Sequence, residues 1–280
     1  MDKKFQKLID DLHHYLDNEE MMFSQKLSKI STLFDHSLRV AKFSRKIARS
    51  EKSVSEDIAF LGGLFHDAGK FKNGQYHVDG ENEEYRSAKI VKQLLPQYGY
   101  NKQIVDKIVT AIQDLHQDDH CPTKLSQIIQ DADNLDKLAE LGVANFFLKA
   151  GLRGQGIGED LFFKISIELT YAFHAVNAMW TETGKQLARK KSKKTFVFFE
   201  QFIKSLNEDG LSDFQIEKIP YQNREFYSIF KSRCECGGSF KRKISNEKTL
   251  RCDKISMQYR CSNCDKQYEV SFCSPNIKSV

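Results

Sequence analysis

The sequence predicts a mostly helical body followed by a small β-rich cysteine module. Three observations predict it. From Lys3 to Asn207 apolar residues recur at intervals of three and four, the spacing of one helical face. Six of the 7 cysteines lie after residue 233. The positive charge is also concentrated there: residues 229–280 carry 11 Lys/Arg and 5 Asp/Glu, a net of +6, whereas the whole chain is +5, so the remainder is about −1. The pI of 8.7 therefore describes the tail. A length of 280 residues suits one medium domain with an appendage. No apolar run approaches the ~20 residues of a membrane span, and the N-terminus lacks the apolar core of a signal peptide. The expected setting is cytoplasmic, with no membrane contact and with reduced thiols.

The helical stripes run in order. Phe5, Leu8, Ile9, Leu12, Tyr15 and Leu16 form the first, and Leu38, Val40, Ala41, Phe43 and Ile47 the second. Ser55 followed by Glu56 and Asp57 reads as a helix start with acids in its first turn. Ile90, Val91, Leu94 and Leu95 end at Pro96; Ile104, Ile108, Val109 and Ile112 follow. Cys121-Pro122 opens a turn, and a long stripe runs from Phe162 to Trp180. Six to eight helices are expected. The basic run Ala188 to Lys194 reads as a solvated helix face.

Polar residues interrupt these stripes in three places: around His36, at His66-Asp67 and at Asp131-Ala-Asp133. A buried carboxylate or unpaired imidazole is costly unless it is paired or bound to metal. Each residue alone reads as an ordinary hydrogen-bonded core residue or a helix cap. Together, two histidines and two aspartates make a mixed nitrogen and oxygen set suited to Mn²⁺, Fe²⁺, Zn²⁺ or Mg²⁺.

The set His36…His66-Asp67…Asp133 resembles the signature of the HD superfamily of metal-dependent phosphohydrolases. The strings His36-Ser-Leu-Arg-Val-Ala, Phe65-His-Asp-Ala-Gly-Lys and Gln130-Asp-Ala-Asp-Asn-Leu-Asp extend the likeness, which covers residues 25 to 205. Asp131 to Phe147 resembles a small bacterial single-domain branch that includes nucleotide pyrophosphohydrolases. The resemblance implies an all-α HD-domain core in which His36, His66, Asp67 and Asp133 hold one divalent ion: Mn, Mg, Fe, Ni, Co or Zn. A second ion would share Asp67 and draw on His77, His116 and His120, whose alternative is a surface loop and a helix end. The implied reaction is hydrolysis of a phosphoester or phosphoanhydride bond, most naturally of a nucleotide, by a metal-bound hydroxide. Asp67, Lys70 and Arg39 are the catalytic candidates, the two cations as phosphate clamps or as salt-bridge partners. Asp131 would orient a ligand histidine or cap a helix. Glu83 and Glu84 are an acid/base candidate or merely solvated acids.

In the tail, Cys234-Glu-Cys236 and Cys261-Ser-Asn-Cys264 lie about 25 residues apart, between segments with β patterning. The arrangement resembles a zinc ribbon, except that the first pair is separated by one residue where two is usual. Four thiolates leave no open position, so this zinc would be structural and would stabilise a module too small to fold unaided. Cys252 and Cys273 would replace a ligand or remain free thiols. Lys241, Arg242, Lys243, Lys248, Arg251, Lys254 and Arg260, with Phe240, Tyr259 and Tyr268, would suit single-stranded nucleic acid, or the module serves protein contacts or packs on the body. The expected division is 1–207 for the HD-type domain, 208–228 for a linker and 229–280 for the ribbon. Two further functions remain open: a nuclease or phosphodiesterase whose ribbon holds its polymer, and a nucleotide-binding regulator without catalysis.

Overall fold

The computed structural model describes residues 3–23, 32–73, 75–76, 82–115, 122–152, 154–221, 224–248 and 253–274. Two compact units divide them: Met1–Lys137 with Met179–Leu187, and Leu138–Ala178 with Ala188–Val280. This division differs from the expected boundary at residue 207, because three helices of the body contribute to the second unit.

The first unit contains α1 (Lys3–Phe23), α2 (Leu33–Glu51), α3 (Glu56–Phe65), α4 (Glu83–Leu94), α5 (Lys102–Gln113) and α6 (Lys124–Asp136). A short hairpin, β1 (Phe71–Lys72) and β2 (Gln75–Tyr76), lies between α3 and α4. Ser55 is the N-cap residue of α3, as expected, and Pro96 stands in a 3-10 turn directly after α4. The core contains Leu8, Leu12, Leu16, Val40, Ile47, Ile108 and Ile112 of the predicted stripes, together with Leu61, Leu64 and Ile129, all almost wholly buried. α2 packs closely on α3 because Gly63 leaves no Cβ; one built there would meet the Ala41 Cα at 2.9 Å. Glu20 of α1 fixes where α2 begins, its carboxylate accepting from the Thr32 and Leu33 backbone N–H groups at 2.8 and 2.9 Å.

The second unit holds α7 (Ala139–Leu152), α8 (Glu159–Ala178) and most of α9 (Glu182–Glu208). Nine α-helices are thus present among the described residues, more than the six to eight expected. The strands are β3 (Phe214–Tyr221) paired antiparallel with β4 (Arg224–Lys231), and a three-stranded sheet of β5 (Phe240–Lys248), β6 (Asp253–Cys261) and β7 (Gln267–Ser274) in sequential order. The stretch expected as a linker is therefore a β-hairpin. Its exposed edge is closed by a ladder of polar side chains on α8. Ser166 accepts from the Ile229 N–H at 2.8 Å, Thr170 from the Tyr227 N–H at 2.8 Å, and His174 Nε2 donates to the Glu225 carbonyl at 2.7 Å. Alternate strand residues thus meet side chains spaced four apart on the helix, which satisfies an edge that would otherwise invite another strand. One apolar cluster spans the unit, with Phe163 and Leu169 of α8, Phe199 of α9, Phe226 and Ile229 of β4, and Met257, Tyr259, Val270 and Phe272 of the sheet.

Candidate metal centre

The expected residues converge. His36 lies in the first turn of α2, Asp133 on α6, and His66-Asp67 in the tight turn that follows α3. That last placement differs from the expected helix. The Ala68 and Lys70 N–H groups bond three residues back, to Phe65 and Asp67, and so turn the chain out of the helix. Gly69 makes the turn possible: a Cβ there would lie 2.4 Å from the Arg86 Cβ and 2.5 Å from the Ser87 nitrogen. The turn is held to α4 by the Gly69 N–H donating to Ser87 Oγ at 2.9 Å and by Arg86 Nε donating to the Gly69 carbonyl at 2.7 Å.

His36 Nε2 lies 3.6 Å from Asp67 Oδ2 and 3.4 Å from Asp133 Oδ1. His66 Nε2 lies 3.6 and 4.0 Å from the same oxygens. These distances are too long for good direct hydrogen bonds and would suit neighbouring ligands of one divalent ion. The outer nitrogens are occupied. His66 Nδ1 donates to the Gly63 carbonyl at 2.8 Å, and His36 Nδ1 to Asp136 Oδ2 at 2.9 Å, which aims each Nε2 inward. His66 Nε2 is buried and has no hydrogen-bond partner, as expected of a nitrogen kept for a cation. Burial lowers the His66 pKa and keeps the ring neutral. At His36 burial acts in the same direction, but the carboxylates of Asp133, Asp136 and Asp67 push the ring up to about 10. Asp67 and Asp133 stay ionised despite their burial, held well below the usual carboxylate range by Lys70 and Lys137 respectively and by the two histidines. The ligand atoms of His36, His66 and Asp67 all lie within 4.8 Å of one another and so fit a divalent ion, with Asp133 Oδ1 facing both histidines.

Asp136 was not anticipated. It accepts from His36 and also takes both Arg39 Nε at 2.8 Å and Nη2 at 3.0 Å. Arg39, expected as a catalytic cation, thus presents its fork to a carboxylate and steadies His36 through it. Of the two readings of Asp131, orienting a ligand histidine or capping a helix, the contacts match the second. Asp131 touches neither ligand histidine but accepts from the Trp180 N–H, the Thr181 N–H and the Thr181 hydroxyl at 2.8, 2.8 and 2.6 Å, fixing the chain where α9 begins. Lys70 pairs with Asp67 and Lys137 with Asp133. Glu84, in the first turn of α4, is buried, and desolvation raises it to about 7, with Glu83 and Asp67 adding to the shift. His77, His116 and His120 lie outside the described residues, as does Cys252; Cys273 stands on β7.

The second cluster is Cys234, Cys236, Cys261 and Cys264, whose sulfur atoms all lie within 4.8 Å of one another. The Cys234–Cys264 and Cys236–Cys261 Sγ separations are 3.5 and 3.4 Å, far beyond a disulfide and near the ~3.8 Å edge of a tetrahedral zinc thiolate site. The unusual one-residue spacing closes because Gly237, at φ +81°, lets the Gly237 N–H bond back to the Cys234 carbonyl at 2.8 Å. The described residues do not favour the nucleic-acid reading. Tyr259 is buried, Phe240 and Tyr268 pack against the core cluster, and Arg242, Lys254 and Arg260 pair with Glu217, Glu269 and Asp265. Among the described residues no helix is long and apolar enough to cross a membrane.

Comparison with known proteins agrees with this geometry. Residues 33–138 match the HD domain family. Among solved structures, YpgQ of Bacillus subtilis is similar at 21% identity and a TM-score of 0.51, covering 74% of this chain and 95% of its own. YpgQ in complex with ADP is 22% identical, with a TM-score of 0.50, covering 74% and 96%. An HD-superfamily hydrolase from Bacillus thuringiensis is 21% identical, with a TM-score of 0.53, covering 73% and 97%. At these identities the likeness is one of fold. A search of curated proteins found no match. The span that matches the HD domain family, residues 33–138, contains His36, His66, Asp67 and Asp133.

Proposed function

We propose that this chain is a divalent-metal-dependent phosphohydrolase acting on nucleotides, with Cys234, Cys236, Cys261 and Cys264 holding a structural zinc. The observation that carries it is the convergence of the His36 and His66 Nε2 atoms on Asp67 Oδ2 and Asp133 Oδ1 within 4.0 Å. A divalent ion held there supplies Lewis acidity, both acidifying water and neutralising charge on a phosphoryl group. The chain's own residues do the rest. His66 and His36 are locked in one tautomer by Gly63 and Asp136. Lys70 sits beside Asp67 as a point charge for a phosphoryl oxygen. Glu84, raised to about 7 by burial, is suited to hold or release a proton near neutrality. The nucleotide assignment is supported by a similar fold in YpgQ, one structure of which holds ADP.

The test is a screen of nucleoside mono-, di- and triphosphates and cyclic nucleotides with Mn²⁺, Mg²⁺, Ni²⁺ and Co²⁺, with products identified by mass. Release of phosphate or pyrophosphate, lost in Asp67→Ala, supports the reading. Turnover unchanged in Asp67→Ala, or none on any substrate with any metal, contradicts it.

A further inference from the structure

Resting on the four-cysteine zinc reading above, we propose that this site reacts with peroxide: the exposed thiolates Cys236 and Cys264 are oxidised, and the buried Cys261 and Cys234 then close disulfides between the two cysteine turns and release the zinc. Cys234 and Cys261 are 6% and 1% exposed, whereas Cys236 and Cys264 lie at the surface. Each turn, 234–236 and 261–264, thus carries one sheltered and one accessible sulfur. The two close sulfur contacts join unlike members of opposite turns. Exposed Cys264 lies 3.5 Å from buried Cys234, and exposed Cys236 lies 3.4 Å from buried Cys261. The Cys261 sulfur is held inward by the Asn263 N–H, which donates to it at 3.4 Å. It has room there because Gly238 carries no Cβ; one would lie 2.8 Å from that sulfur.

A zinc-bound cysteine is a thiolate, the nucleophilic form, and an accessible thiolate reacts where a sheltered one is inert. Its attack on hydrogen peroxide forms an S–O bond as the O–O bond breaks, giving a sulfenic acid and hydroxide. The neighbouring thiolate then attacks the sulfenic sulfur, forming the S–S bond and expelling a second hydroxide. Each pair so loses two electrons to one peroxide. Two peroxides oxidise all four thiolates, leaving Zn²⁺ without ligands. Because both bridges run between turns, they join the same backbone segments that the zinc joined. The first turn leads into β5, and the second connects β6 to β7. Bridges within each turn would leave these segments apart. The oxidised unit therefore keeps its fold without zinc, and a dithiol reductant restores the four thiols by exchange.

The experiment measures the zinc content of the full chain, adds hydrogen peroxide stepwise and follows zinc release with a chromogenic chelator. Trypsin without reduction then cuts out the two turns as residues 234–241 and 261–266. These peptides should come off joined, with fragmentation assigning Cys234–Cys264 and Cys236–Cys261, and zinc should leave in step with the bridges. A short exposure in the presence of dimedone, which traps sulfenic acid, should label Cys236 and Cys264 at least fivefold more than Cys234 and Cys261. The oxidised chain should melt above the reduced chain stripped of zinc by chelator. Two separate peptides, each bridged internally, would overturn the proposal. Dimedone on the buried pair, sulfinic acids with no disulfide, or an oxidised chain that melts no higher than the stripped one would do the same. The two readings separate: a chain purified without zinc that still forms both bridges between turns removes the metal and keeps the pairing. Zinc retained throughout the peroxide treatment keeps the metal and removes the reactivity.

Discussion

His36 Nδ1 meets Asp136 Oδ2 at 2.9 Å, and the same carboxylate accepts two hydrogen bonds from Arg39. A carboxylate behind a ligand imidazole fixes its tautomer and rotation and raises its basicity. Asp136→Asn should therefore weaken Mn²⁺ binding about 10–100-fold while leaving the fold intact. Saturating metal should restore most turnover. Calorimetric titration of Mn²⁺ into both proteins, with circular dichroism as the fold control, measures this. Equal affinities would remove Asp136 from the account.

The His66-Asp67 turn depends on the missing Cβ of Gly69. In Gly69→Ala the new methyl would meet the backbone of α4 at Ser87 N, 2.5 Å away, which no side-chain rotation relieves. Overpacking of this kind costs about 1–3 kcal/mol. The displacement falls on the segment carrying two ligands, so metal affinity should drop with stability. Urea midpoints and Mn²⁺ titration check both. A variant as stable and as tightly metallated as wild type would mean that the turn has another way to pack.

Glu84 gives the metal-free protein a pH signature. Burial raises its folded pKa from 4.5 to about 7. The folded chain therefore binds that proton more tightly than the unfolded chain does. The associated stability is fully present below 4.5 and is lost as pH rises towards 7. Glu84→Gln cannot ionise, so its stability should decline less over that window. Urea unfolding at several pH values, with chelator to clear the metal centre, reads the difference. Parallel curves for the two proteins would show that Glu84 titrates normally.

The four-cysteine site should hold one zinc ion and support the second unit. Cys264→Ser should release zinc and expose the core around Tyr259 and Met257, which lie on the strand leading into Cys261. Zinc content by mass spectrometry and thermal melting report it. A zinc-free variant with an unchanged melting temperature would make the site dispensable for folding.

The four candidate metal ligands were legible because each breaks an apolar stripe in the sequence. Burying such a residue without a partner is too costly to be incidental. Asp136 was legible in principle. On a helix, successive residues turn about 100°, so Asp131 lies about 200° around from Asp133 and Asp136 only about 60° from it. Helical spacing thus placed Asp136 on the ligand side and Asp131 on the far side, where it anchors Thr181. The turn at His66 and the hairpin of β3 and β4 were less visible. The first depends on a contact between Gly69 and α4, and the second on Ser166, Thr170 and His174, far away in sequence. Nucleic-acid binding stayed open as one reading of the basic tail, beside protein contacts or packing, because composition does not show that Arg242 faces Glu217 or that Tyr259 faces inward.

The central claim is that His36, His66, Asp67 and Asp133 together hold one divalent ion. The most direct measurement is a Mn²⁺ titration by electron paramagnetic resonance on zinc-containing wild type, His66→Ala and Asp133→Ala. The account predicts one tight Mn²⁺ site in wild type and at least a hundredfold loss of affinity in each variant, with zinc content unchanged. Mn²⁺ bound as tightly by either variant as by wild type would contradict it.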